Sequence, residues 1–291
     1  MDLRMKTGVK LTLALLLALA LLPSMAVADP WLVTLTNVNG WNYGGVYTSP
    51  YVLSATNGGT ALTGILFACD DFTTDINITN SWPATLETLA NVPNNNTTVG
   101  SQKFPNVSGT PVAGDITVTL PNGGGTPSYT PYIAYEAAGY LAQQVLNDVQ
   151  QGNQNLAYED SYAIWQIFDP TAAITGYNNG VAGATINGAS FVSLVQTQMQ
   201  TAFSTVTAAN YAGLGETLDI FTPCGPQGSS VCSTPPNSSS SQEFLGFGLN
   251  PDVVPSSEGS SVAFLLFDFL VAIGAFFIFR KRFMRRSAAK S

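Results

Sequence analysis

The chain contains no histidine. That removes Ser-His-Asp and Cys-His catalysis, and the usual zinc sites, from consideration. Positive charge is almost as scarce. Of ten Lys and Arg, three (Arg4, Lys6, Lys10) lie at the start, six lie at or beyond Arg280, and Lys103 stands alone between them. Residues 29–261 set sixteen Asp and Glu against that single lysine, a formal charge of −15. Nothing there can neutralise a run of phosphates, which excludes nucleic-acid binding. Gly123-Gly124-Gly125 has neither a lysine nor a helix directly after it, so it is no phosphate loop. Asp70, Asp71 and Asp75 in "CDDFTTD" lack the glycine and closing glutamate of an EF-hand and read as a solvated strand end. No metal and no cofactor are expected.

What is present divides the chain into parts. The basic residues 4–10, the apolar run Leu11 to Leu22 and the small-residue site Ala26-Val27-Ala28 form a secretory signal, so 1–28 is expected to be removed. At the other end, Val262 to Phe279 is long enough, at about 1.5 Å per residue, to cross a hydrocarbon core of roughly 30 Å. One central Asp268 costs about 3 kcal/mol on the insertion scale, against roughly −0.3 to −0.6 for each of its Val, Leu, Ile and Phe. Insertion still wins. Arg280, Lys281 and Arg282 then open a basic cytoplasmic tail, 280–291. The expected organisation is an exported domain over 29–250, a linker over 251–261, and one C-terminal transmembrane helix.

The exported part changes period along its length. "WLVTLTNV" (31–38), "GVYTSPYVLSAT" (45–56) and "ALTGILFACDDF" (61–72) read as strands, and "TLDIFTP" and "QEFLGFGL" return to that pattern near the end. Between them, "YIAYEAAGYLAQQVLNDVQ" has apolar residues at helical spacing. A second helix is expected to be capped by Asp160 or Ser161 and ended by Asp169-Pro170, and a third lies in "ASFVSLVQTQMQTAF". The fold class is α+β, a β-rich ectodomain with a helical insertion. Trp31, Trp41 and Trp82, if exposed, would offer faces for sugars.

Cys224 and Cys232 sit close together in a Pro/Gly/Ser loop, and in an exported chain they are expected to pair. Cys69 is left over, inside a strand.

Two stretches resemble known families. The order Val254-Pro255-Ser256-Ser257-Glu258-Gly259, apolar helix, Arg cluster resembles the PEP-CTERM sorting signal of Gram-negative, exopolysaccharide-producing bacteria. It keeps one Pro and one Glu of that family's Pro-Glu-Pro. The resemblance implies an exosortase-like processing enzyme as partner, with the membrane and the exopolysaccharide matrix, and display at the cell surface. Cys69, followed downstream by Ala163-Ile164-Trp165, is similar to the thioester domains of bacterial surface adhesins, in which a Cys and a Gln condense to a thioester that captures amines. The position two before Ala163, where that family has its Gln, is Ser161, which has no amide to lose. Cys69 is therefore expected to be a structural thiol in a non-enzymatic surface protein. The alternatives are a covalent adhesin using Cys69 with Gln143, Gln144 or Gln166, and a carbohydrate-active enzyme or sugar-binding module built on a carboxylate pair.

Overall fold

The computed structural model describes residues 30–72, 74, 76–92, 116–117, 128–169, 173, 181, 183–232 and 241–249. The signal segment, the sorting-like motif from Val254 to Gly259, the apolar run and the Arg280-Lys281-Arg282 cluster lie outside the described residues. Among the described residues, no helix is long and apolar enough to cross a membrane.

Six strands close into an antiparallel barrel. β1 (Trp31–Val38) lies between β4 (Tyr51–Asn57) and β6 (Ser81–Thr88), and the order round the barrel is β1, β4, β5 (Thr60–Cys69), β12 (Phe244–Phe247), β11 (Leu218–Pro223), β6. Closure leaves no free strand edge. The two C-terminal strands are inserted between β5 and β6, so the barrel is completed only after the helices have been made. Six short strands form three satellite hairpins: β2 (Asn42–Tyr43) with β3 (Val46–Tyr47), β7 (Ile116–Thr117) with β8 (Ser128–Tyr129), and β9 (Thr185–Ile186) with β10 (Ala189–Ser190).

Period-two alternation sorts the side chains between two cores. Val33, Leu35, Leu53, Phe67, Cys69, Trp82, Phe221 and Phe244 fill the barrel. Their strand neighbours Ala68, Ile220 and Leu245 face outwards and join the helical core. Gly246 is required by this packing, because a Cβ there would come within 2.4 Å of the Phe67 ring.

The helical insertion comprises α1 (Pro131–Gln151), α2 (Gln154–Phe168) and α3 (Phe191–Val206). Thr130 caps α1 by accepting from Ile133 N, Pro131 takes the first turn, and Gly152 ends the helix in the left-handed region. α2 begins at Gln154, about two turns earlier than a cap at Asp160 would start it. Asp160 and Ser161 are interior positions of that helix, in a run from Ala157 to Phe168 that is buried throughout. A helix buried all round is a central one. α3 contributes a single stripe of Phe191, Val195, Met199, Ala202, Phe203 and Val206. Trp31 and Trp82 are buried in the barrel, and Trp41 is half-buried edge-on to Tyr158, so none offers the open face that sugar stacking needs.

Cys224 and Cys232 form a disulfide. The loop it closes is short, and the entropy it removes from the unfolded chain is worth roughly 2.6 kcal/mol.

Candidate functional site

Cys69 is the last residue of β5 and is directly opposite Phe244 of β12. An antiparallel register places the residues before Phe244 opposite those after Cys69, so Gln242 reaches the turn made by Asp71 and its successors. The Cys69 backbone N–H donates to Ser49 Oγ at 3.0 Å. Its thiol donates to the carbonyl oxygen of Asp71 at 3.2 Å. Gln242 Nε2 donates to the same Asp71 oxygen at 3.1 Å and to the carbonyl of Thr74 at 2.5 Å. Sulfur and carboxamide therefore converge on one oxygen. Gln242 is only 8 % exposed, and its Oε1 has no hydrogen-bond partner.

Asp70 and Asp71 are fully buried, which corrects the reading of this stretch as a solvated strand end. Burial pushes the Cys69 thiol well above its ordinary range, and the carboxylates of Asp71 and Asp70 raise it further. Contacts with the Asp71 backbone and the Trp165 indole act in the opposite sense. At neutral pH the sulfur is a neutral thiol. Among the described residues, no group of three or more Cys, Asp or Glu could hold a metal ion.

Trp165 from α2 brings the second part of the sequence motif to Cys69. Its ring is wedged between Phe72 and Tyr162, with centroids 5.0 and 4.9 Å away. Ala163 and Ile164 are fully buried in the helical core. Ser161 is also buried, with its Oγ unpartnered. Gln143 and Gln144 lie on α1, and Gln166 follows Trp165 by about 100° round α2. The glutamine that shares an oxygen with Cys69 is Gln242.

A cavity of about 680 Å³ opens on this group, with Asp71, Phe72, Trp165 and Gln242 among its lining. Tyr47 and Ile78, 54 % and 46 % exposed, also line it and form its outer part. A second cavity of about 720 Å³ beside the α1–α2 turn is lined by polar residues including Asn153, Gln154, Glu159 and Gln198, and holds no cysteine.

Glu243 projects the other way from Gln242, towards the helices. It is fully buried and accepts hydrogen bonds from Tyr135 of α1 and, at 2.5 Å, from Thr222 Oγ1 of β11. Barrel and helices are thereby joined next to the site.

Two buried carboxyls, Asp160 of α2 and Asp219 of β11, store protons. Burial raises Asp160 from 3.8 to about 8, with Asp148 and Glu159 adding to the effect, and raises Asp219 to about 6. The folded state then binds protons that the unfolded chain has released above pH about 4. Stability is expected to fall as pH rises from there, by about 1.4 kcal/mol per unit and per group, up to about pH 8 for Asp160 and about pH 6 for Asp219. Asp160→Asn should flatten the slope between pH 6 and 8 in denaturant titrations, and an unchanged slope would remove Asp160 as its source.

No family model matches the sequence, and no curated protein matches it. Among solved structures there is a similarity to the N-terminal domain of the Streptococcus pyogenes pilus tip adhesin Cpa. It has a TM-score of 0.35 and 11 % identity, and covers 77 % of this chain and 96 % of that one. At that level no residue of one chain can be equated with a residue of the other.

Proposed function

We propose that this is an exported surface protein whose ectodomain is a covalent capture module, with an internal thioester between Cys69 and Gln242. The observation that supports it is the convergence of the Cys69 sulfur and the Gln242 carboxamide on the Asp71 carbonyl, under a cavity that reaches solvent. In the first step Sγ attacks Cδ of Gln242, an S–C bond forms, the C–N bond breaks, and ammonia leaves with the thiol proton. Because burial holds that proton on sulfur, the attack needs a base, and the Asp70 and Asp71 carboxylates are near enough to act on the thiol electrostatically.

The thioester is a stored acyl donor. An incoming amine attacks Cδ through the cavity, the C–S bond breaks, sulfur takes up the amine's proton, and an amide remains on the Gln242 side chain. The scarcity of lysine fits such a store. With Lys103 the one lysine in residues 29–261, the nucleophile comes from another molecule. Each chain reacts once, so this is capture and not turnover. The signal segment, the sorting-like motif at Val254 to Gly259 and the basic tail would place the module outside the cell, with an exosortase-like enzyme and the membrane as partners in that placement.

Incubation of the exported chain with isotopically labelled methylamine tests the chemistry. One label on the peptide carrying Gln242 is expected, together with one new thiol at Cys69 in denaturant. Label on another residue, or label without the thiol, contradicts the proposal.

A further inference from the structure

Two buried polar groups on the lining of the cavity beside Cys69 lack partners, and they are complementary. Trp165 Nε1 is a donor without an acceptor, and Gln242 Oε1 is an acceptor without a donor. Unsatisfied groups of this kind are rare in folded proteins, and each calls for an explanation. The indole acts on the Cys69 sulfur without closing a hydrogen bond of ordinary geometry. It is therefore close to the atom that attacks, while Gln242 supplies the atom that is attacked.

We propose that Trp165 is a catalytic residue of this site, its indole N–H donating to the oxyanion that develops on Gln242 Oε1 when Cδ becomes tetrahedral. This rests on the Cys69–Gln242 thioester. The same tetrahedral carbon occurs when sulfur displaces ammonia and when an amine displaces sulfur, so one donor serves both steps. An indole N–H suits the task because it donates and does not titrate. Charge appears on oxygen and is stabilised, while the protons move between amine and sulfur as before. The clamp of Phe72 and Tyr162 fixes the ring in advance, so little reorganisation accompanies the reaction. A donor that closes no full hydrogen bond in the ground state and closes one as charge develops contributes to rate rather than to binding.

The test replaces the N–H and keeps the shape. Benzothienylalanine incorporated at position 165 puts sulfur where the indole has its N–H, and Trp165→Phe removes the group altogether. The rate at which methylamine consumes the preformed thioester is read by intact mass, and for a chain that arrives without thioester the rate of ammonia loss after refolding is read instead. Both changes are expected to slow the reaction about a hundredfold. Met199→Ala, which loosens the helical core away from the cavity and keeps both the clamp and the N–H, should stay within a few-fold of the native rate. A benzothienyl chain within twofold of native overturns the role of Trp165 and leaves the thioester standing. A native chain that retains its ammonia removes the thioester, and this inference with it.

Discussion

Cys69→Ala and Gln242→Glu are each expected to abolish covalent capture completely, and the double variant to be no worse than either. In the proposed thioester Cys69 supplies the nucleophile and Gln242 the acyl group, so loss of one leaves the other with nothing to do, and effects of residues acting as a unit do not add. The signature is the mass of the isolated chain. Native protein should lack one ammonia, and both variants should carry their full sequence mass, less the hydrogens of the Cys224–Cys232 disulfide. Stability should respond differently from chemistry. Removing one buried sulfur costs about 1 kcal/mol, whereas the glutamate places a further carboxyl beside Asp70 and Asp71 and costs more. Residual labelling by methylamine in Cys69→Ala would show that Gln242 is activated by some other group.

Glu243→Ala is expected to be the most destabilising single change near the site. It leaves the hydroxyls of Tyr135 and Thr222 buried without their acceptor. Each orphaned donor costs roughly 1–3 kcal/mol, so a loss of about 3 kcal/mol is expected, or a melting temperature lower by roughly 6–12 °C for a domain of this size. Tyr135→Phe and Thr222→Val should each cost less. In a double-mutant cycle, Tyr135→Phe should add little to Glu243→Ala, because the bond is already lost. The neighbouring Gln242 should also drift from the Asp71 carbonyl, so the surviving folded protein should contain less thioester. Full additivity of the two changes would mean that the hydrogen bond contributes nothing to stability.

The frame of this molecule can be read from periodicity. β1, β5, β11 and β12 fall on alternating apolar stretches, and α1 and α3 on helical stripes. β6 does not declare itself, because Pro83 interrupts "SWPATLET" and only a strand whose N–H needs no partner there accepts it. α2 starts earlier than its sequence suggests. Asp160 and Ser161 look like a cap because short polar side chains favour helix starts, yet both are buried in mid-helix, where Asp160 keeps a proton to remain neutral. The strand before Pro50 is shorter than its composition predicts: Val46–Tyr47 pairs with Asn42–Tyr43 in a separate hairpin, and the barrel strand begins at Tyr51.

The site was half legible. Cys69 stands out as the unpaired cysteine, and Trp165 as part of a motif, and the fold brings them together beside a cavity that Trp165 lines. Gln242 carries no local signal. It follows a Ser-rich stretch and meets Asp71 across 171 residues of chain, through strand pairing that no short-range pattern encodes. The amide that shares an oxygen with Cys69 comes from the segment just before β12, while α2 carries Trp165 to the sulfur.

Alkylation of the native protein would not decide the matter, because a buried thiol with a raised pKa resists reagents whether or not it is esterified. The deciding measurement is the intact mass of the non-reduced chain, taken without exposure to amines. A mass short of one ammonia, restored by methylamine with the release of one thiol at Cys69, is what the Cys69–Gln242 thioester predicts. A chain that retains its ammonia and shows one free thiol in denaturant would contradict it.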